Sequence, residues 1–252
     1  MTAEIGIAAC VFRSVEILAV TRHAGFDFLI ADMEHGAMSL AEAASLCVAG
    51  REAGFPVYVR VPRSSSDDLT RAADCGAQAI IVPHVDSVEE ARLIVDKLRF
   101  PPRGNRSLPS PVASSGFKPV PARDLIAGAE AGFRLFAMVE SAQALHDVEA
   151  MAALDGLDGL VIGSQDLAQA LGHTGDLTHP DVTAAFARVA NAARASAKVF
   201  GLMGVPKDLL ASHAFALDAG LIVVTNEINL LFEAAEQRVA EIRHLMESVD
   251  SR

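Results

Sequence analysis

Short apolar runs recur along this chain, separated by amphipathic segments of helical length. They read AGFDFLIAD (24–32), AGFPVYVRV (53–61), CGAQAIIVP (75–83), AGFRLFAMVE (131–140), LDGLVIG (157–163) and AGLIVVT (219–225). Helix termination explains the repeat. Gly25, Gly54, Gly76, Gly132 and Gly220 can take φ > 0 just past a last helical turn without a Cβ clash, and a strand then starts at once. The predicted strands are Ile5–Ala9, Phe28–Asp32, Val57–Val61, Ala79–Pro83, Leu135–Glu140, Leu160–Gly163, Val199–Met203 and Leu221–Thr225. Most are continuous apolar runs without alternation, as in parallel strands covered on both faces. Ser39 with Glu42 and Ser87 with Glu90 predict capping boxes at two helix starts.

Eight alternating strand–helix units predict an α/β fold, a (β/α)8 TIM barrel in a single domain over residues 1–252. An open doubly wound sheet is the alternative. Against it, the first strand runs into FRSVEI, with no glycine fingerprint for a dinucleotide. The segment 101–121, PPRGNRSLPSPVASSGFKPVP, is too long for an ordinary connection and is read as a flap or an intersubunit loop that helps to shape the substrate pocket. The C-terminal NLLFEAAEQRVAEIRHLM predicts an amphipathic helix able to pack on its own barrel or on a neighbour's.

Composition narrows the function. The net charge is −11, which argues against a nucleic-acid partner because phosphate neutralisation needs Lys and Arg. No apolar run reaches membrane-span length, and no basic n-region with an h-region opens the chain. Cys10, Cys47 and Cys75 sit in apolar contexts and read as buried thiols of a reducing compartment, so a cytoplasmic location is expected.

In such barrels chemistry collects at the C-terminal ends of the strands. There the sequence places Asp32-Met33-Glu34-His35, Arg60, Pro83-His84, Glu140-Ser141, Gly163-Ser164-Gln165-Asp166, Met203-Gly204 and Asn226-Glu227. Glu140 and Asp166 would meet if their strands are neighbours. They then offer two hard oxygen ligands to Mg²⁺ or Mn²⁺; otherwise they cap a strand and a helix. Glu34 and His84 read as caps or surface residues. Arg60, embedded in VYVRVP, needs an anion beside it. The four lysines, Lys97, Lys118, Lys198 and Lys207, end no strand. Only Lys207 could be argued for a Schiff base, so a metal is the better electron sink for carbonyl chemistry.

The stretches GFDFLIADMEHGAMSL, VRVP, GAQAIIVPHVDSVEEA, PPRGNRS, VES and GLDGLVIGSQDLAQALG resemble the HpcH/HpaI aldolase/citrate lyase family. Within it they are most similar to the class II pyruvate aldolases typified by 4-hydroxy-2-oxoheptanedioate aldolase. The resemblance implies a phosphoenolpyruvate/pyruvate-type barrel and a divalent metal (Mg²⁺ or Mn²⁺, with Co²⁺ a further option) on Glu140 and Asp166. It makes His35 the acid/base, Arg60 the partner of the substrate's keto oxygen, and Asp74 the carboxylate that raises the basicity of His35. Asp32 opens the same motif, and Asp32 or Asp74 would orient the ring. Backbone N–H groups at Gly163, Ser164 and Gln165 would hold the substrate carboxylate. Homohexamers exchanging C-terminal helices are implied as well.

The implied reaction is reversible aldol cleavage of 4-hydroxy-2-oxo acids to pyruvate or hydroxypyruvate and an aldehyde. The alternatives are a citrate-synthase-like condensation of oxaloacetate with an acyl-CoA, or a non-catalytic carboxylate-binding barrel. Three departures fall on the pocket lining. Met138-Val139-Glu140 stands for the family's Q-I-E, Gly163-Ser164-Gln165-Asp166-Leu167-Ala168 for G-P-A-D-L-S, and Thr225-Asn226-Glu227 for a strand end followed by a glycine and an aspartate.

Overall fold

The structure, a computed structural model, describes residues 3–250, the last by its backbone alone. Residues 1, 2, 251 and 252, the ends of the expected 1–252 domain, lie outside the described residues. The chain runs β1 (Glu4–Ala9), α1 (Glu16–Ala24), β2 (Phe28–Asp32), α2 (Leu40–Ala53), β3 (Val57–Arg60), α3 (Asp68–Asp74), β4 (Ala79–Val82) and α4 (Val88–Leu98). It continues with α5 (Ala122–Glu130), β5 (Arg134–Val139), α6 (Ala142–His146), α7 (Val148–Ala152), β6 (Gly159–Gly163), α8 (Ser164–Ala170) and α9 (Pro180–Ala195). The last elements are β7 (Val199–Met203), α10 (Leu210–His213), β8 (Leu221–Asn226) and α11 (Glu227–Asp250). Each strand pairs in parallel with its sequence neighbour, and β1 closes on β8. The fold is therefore the expected (β/α)8 barrel, not an open sheet, and every predicted strand matches within one residue at each end.

Glycine punctuation works as expected at Gly25, Gly54, Gly76 and Gly132, whose φ values are 94°, 64°, 101° and 74°. Gly220 differs. The left-handed residue there is Asp218, with φ 56°. The Gly220 N–H already donates to Phe200 O at 2.9 Å, so this residue begins the strand ladder instead of ending a helix. Ser39 and Glu42 form the full capping box of α2. At α4 only half of it forms. Ser87 accepts from the Glu90 N–H, but the Glu90 carboxylate turns to the Asp86 N–H and the Ser64 hydroxyl.

Two apolar clusters hold the barrel. The larger lies between strands and helices; its members include Leu29, Leu46, Ile80, Leu135, Ile162 and Phe186. The smaller fills the barrel interior with Phe28, Tyr58, Phe136, Ile81, Met138 and Met203. Phe28 and Tyr58 stack at 4.5 Å between ring centroids. A Cβ on Gly6 would overlap the Phe28 ring, so β1 must be bare there for the plug to fit. Burying side chains of this size stabilises the fold by roughly 1.5–3 kcal/mol each.

The 101–121 segment is no free flap along its length. Arg106 is buried, bonded to Asp74 Oδ1 at 2.6 Å and stacked 4.8 Å over the Phe100 ring. None of its residues lines the large cavity of this chain, so within one subunit it is not a flap over that cavity. Its Leu108, Phe117 and Val120 are exposed. α11 is exposed along most of its length and shows Leu231, Phe232, Leu245, Met246 and Val249 to solvent.

A candidate active site at the barrel mouth

A cavity of about 960 Å³ opens at the C-terminal ends of the strands. Asp32, His35, Arg60, Glu140, Gly163, Ser164, Gln165 and Asp166 all line it. The only sequence-predicted site residue absent from this wall is Asp74. It ends α3 and accepts from Arg106.

Asp32 and Arg60 are register partners on β2 and β3, so their side chains leave the sheet together. Asp32 Oδ1 accepts from Arg60 Nε at 3.0 Å, from the Glu34 N–H at 3.0 Å and from the His35 N–H at 3.3 Å. Oδ2 accepts from Arg60 Nη2 at 2.5 Å and from Cys10 Sγ at 3.2 Å. Burial works to raise the Asp32 carboxyl, but the Arg60 hydrogen bonds and charge outweigh it and hold the group below the usual carboxylate range. The same pairing overcomes burial at Arg60 and keeps its guanidinium above its ordinary value. Burial, reinforced by Asp32 and Glu227, pushes the Cys10 thiol up to about 12, so Cys10 is a donor here and not a nucleophile.

The network continues through residues that read as caps in the sequence. Glu34 Oε2 lies 2.9 Å from Arg60 Nη1, and its Oε1 lies 3.0 Å from His84 Nε2. The His84 N–H donates to Glu140 Oε2 at 2.7 Å, and its Nδ1 lies 3.3 Å from the same oxygen. His84 holds a φ of 51°, a strained setting for a non-glycine residue that clusters at functional sites. Arg60, Glu34, His84 and Glu140 thus form one continuous string. Sequence reading missed Glu34 and His84. The available signal was charge bookkeeping, because Arg60 needed more anion than Asp32 alone.

His35 has a different setting from the one expected. Its ring is 60% exposed, and Glu34 Oε2 is 3.8 Å from Nε2. Asp32 holds the His35 backbone instead of its ring, since both Asp32 oxygens are taken by Arg60, Cys10 and main-chain donors. Asp74 is committed to Arg106. In this chain neither aspartate orients the imidazole.

Glu140 and Asp166 do face one cavity. Burial raises the Glu140 carboxyl; the His84 N–H lowers it in part, and Glu34 and Asp166 add to the rise. Glu140 Oε2 receives both His84 contacts, whereas Oε1 has no donor among the described residues and lies over Gly163, where any Cβ would overlap it. Asp166 has no hydrogen-bonding or ionic partner among the described residues. Two adjacent carboxylates, one with an open oxygen and one unpartnered, fit a hard divalent cation. Beside them Ser164 Oγ is buried without a hydrogen-bond partner, a polar atom left for a ligand.

Two further features escaped the sequence. Glu227, the first residue of α11, accepts from the N–H groups of Cys10 at 2.9 Å, Val11 at 2.5 Å and Phe12 at 2.8 Å. Its buried carboxylate fastens the last helix to the loop after β1. Away from the cavity, His173 and His179 stack at 3.4 Å beside Asp181. Their ligand atoms lie within 4.8 Å of one another, and they are tied together locally: His173 Nε2 lies 3.2 Å from Asp181 Oδ2 and His179 Nδ1 caps α9 through the Asp181 N–H.

An eight-stranded parallel barrel whose mouth gathers an Arg–carboxylate network, an exposed histidine and the carboxylates of Glu140 and Asp166 in one cavity defines a (β/α)8 barrel protein with its polar groups at the C-terminal strand ends. The chain belongs to the HpcH/HpaI aldolase/citrate lyase family, whose model matches residues 13–220. It is 32% identical over 228 residues to the 5-keto-4-deoxy-D-glucarate aldolase of Escherichia coli (strain K12), covering 90% of this chain and 86% of that protein. Among solved structures it is similar to an HpcH/HpaI aldolase from Desulfitobacterium hafniense DCB-2, with TM-score 0.89, 26% identity, and 96% and 93% of the two chains covered. It is also similar to the citrate synthase SbnG, with TM-score 0.85, 25% identity, and 97% and 95% covered. No helix among the described residues is long and apolar enough to cross a membrane.

Proposed function

We propose that this protein is a carbon–carbon lyase, a metal-dependent class II aldolase that reversibly splits 4-hydroxy-2-oxo acids into pyruvate or hydroxypyruvate and an aldehyde. The observation that carries the reading is the open face shared by Glu140 and Asp166, beside Arg60, in one cavity. The aldolases among its relatives support it.

Glu140 and Asp166 would hold the cation, Mg²⁺ or Mn²⁺, which when bound supplies Lewis-acid polarisation of the substrate's 2-oxo group. The chain's own groups do the rest. Arg60 spends two of its five N–H bonds on Asp32 and turns Nη1 to Glu34 as an ion pair. One N–H on each terminal nitrogen remains for the oxygen on which charge develops. Ser164 Oγ and the N–H groups at Gly163 to Gln165 hold the C1 carboxylate. His35, with its exposed ring, takes the C4 hydroxyl proton during cleavage and returns it during condensation.

The test is pyruvate release from a racemic 4-hydroxy-2-oxo acid. Loss with EDTA and recovery with Mg²⁺ or Mn²⁺ is expected; full activity after rigorous metal removal overturns the reading. A second reading, condensation of oxaloacetate with an acyl-CoA, draws on the likeness to SbnG. It is disfavoured because Arg103 and Arg106 are committed to Glu130 and Asp74 and neither they nor Lys118 lines the cavity. Thiol release from acetyl-CoA would report it.

The exposed apolar side chains of α11 and of the 101–121 segment support a homo-oligomer, with a hexamer exchanging α11 as the specific form. Mass measurement by light scattering checks it. Three free cysteines support a cytoplasmic setting.

A further inference from the structure

A second set of metal-ligating side chains stands outside the cavity, where α8 passes into α9. His173, His179 and Asp181 are the one group among the described residues that offers three His, Cys or acidic ligand atoms within 4.8 Å of one another. None of the three lines the cavity.

The separations suit a single ion. His173 Nε2 lies 3.2 Å and His179 Nδ1 3.7 Å from Asp181 Oδ2. Donors at about 2.0–2.2 Å around a tetrahedral ion stand roughly 3.3–3.6 Å apart, so two of the three edges already have the right length. The main chain between the ligands is fixed. Gly172 and Gly175 take φ values of 84° and 79°. The His173 N–H donates to Ala168 O at 2.8 Å, and Asp176 Oδ1 accepts from the Thr178 N–H at 3.0 Å and its hydroxyl at 2.7 Å. The carbonyl of buried Leu177 lies 2.9 Å from His213 Nε2. Asp181 stands in the first turn of α9, directly after Pro180. An ion therefore asks for side-chain motion alone. The two rings stack at 3.4 Å and within 17°, so His179 turns out of the stack to aim its lone pair, and the Asp181 N–H gives up its cap. The positive end of α9 opposes a cation here, and the Asp181 carboxylate offsets it.

The donor set decides which ion. The mouth presents Glu140 and Asp166, two hard oxygen ligands. Here two imidazoles join one carboxylate, a set that favours Zn²⁺, Ni²⁺ or Co²⁺ over Mg²⁺. We infer that His173, His179 and Asp181 form a second metal site, which takes one ion of the Zn²⁺, Ni²⁺ and Co²⁺ class and so ties the loop after α8 to the first turn of α9. Asp181 is exposed, so water completes the shell. The inference does not depend on the aldolase reading.

Co²⁺ tests it, titrated into the full chain, free of any histidine tag, with excess Mg²⁺ present to occupy the hard carboxylates. The wild type should bind one Co²⁺ with the intense visible bands of a four-coordinate, imidazole-bound ion, and Zn²⁺ should raise the melting temperature. Two variants remove a ligand while keeping the local fold. His179→Asn retains a capping side chain, and His173→Phe retains a ring to stack. Each should weaken Co²⁺ binding at least about tenfold and abolish the Zn²⁺-induced shift, while Mn²⁺ binding at the barrel mouth stays unchanged. Absence of those bands in the wild type, or an affinity that neither variant changes, overturns the inference and leaves the aldolase reading as it stands.

Discussion

Asp32 and Arg60 lie opposite one another on adjacent strands and share two hydrogen bonds, Nε to Oδ1 at 3.0 Å and Nη2 to Oδ2 at 2.5 Å. The pair is buried, so each charge depends on the other for its compensation. Replacing Asp32 by Ala leaves a guanidinium in the wall with Glu34 as its remaining partner. We expect a loss of about 3 kcal/mol in unfolding free energy, the lower end for breaking a buried pair, read by urea denaturation.

The same pair fixes a pH dependence. The Asp32 carboxyl is held below its unfolded value by Arg60 against the effect of burial. Its contribution is therefore fully present above the unfolded carboxylate pKa, near 3.9, and is lost as pH falls through the folded value. The stability gap between wild type and the Asp32→Asn variant should be constant at neutral pH and shrink below about pH 4. A gap that widens in acid would contradict the assignment.

Gly163 is required by Glu140. A Cβ at 163 would overlap Glu140 Oε1, the oxygen left open toward the cavity. Gly163→Ala should keep the barrel's circular dichroism but weaken Mn²⁺ binding, followed by electron paramagnetic resonance, by at least about tenfold, or 1.4 kcal/mol. Unchanged metal affinity would show that Glu140 is not a ligand.

The thiols should be sluggish. Burial is the main cause that pushes Cys10 and Cys47 up to about 12 and raises Cys75 as well. At pH 8 a thiol with a pKa of about 12 is roughly one part in ten thousand thiolate. Iodoacetamide should label the folded protein far more slowly than the urea-unfolded chain, and mass spectrometry reads both.

Much of this molecule is written in local pattern. The eight strands were legible because parallel strands covered on both sides must be apolar throughout, as in FLIAD and AIIV, and because Gly25 and Gly54 must lie where left-handed turns fall. The mouth residues from Asp32 to Asp166 were legible through the family's motifs and the rule that strand ends carry chemistry. Glu34 and His84 were not, because each looks like a cap until strands β2 and β4 bring them within 3.0 Å. Glu227 was hidden for a similar reason: its partners are main-chain N–H groups of residues 10–12, and a bare amide leaves no trace in a sequence. The contact expected between Asp74 and His35 is not made within one chain, where Arg106, thirty-two positions away, holds that carboxylate.

The carboxylate of Glu227 belongs at once to the helix that reaches outward and to the loop that floors the reaction chamber. Its three amide bonds tie the lever to the hinge of Cys10 and, through that thiol, to Asp32. A displacement of α11 is therefore transmitted to Asp32 and, through its two hydrogen bonds, to Arg60.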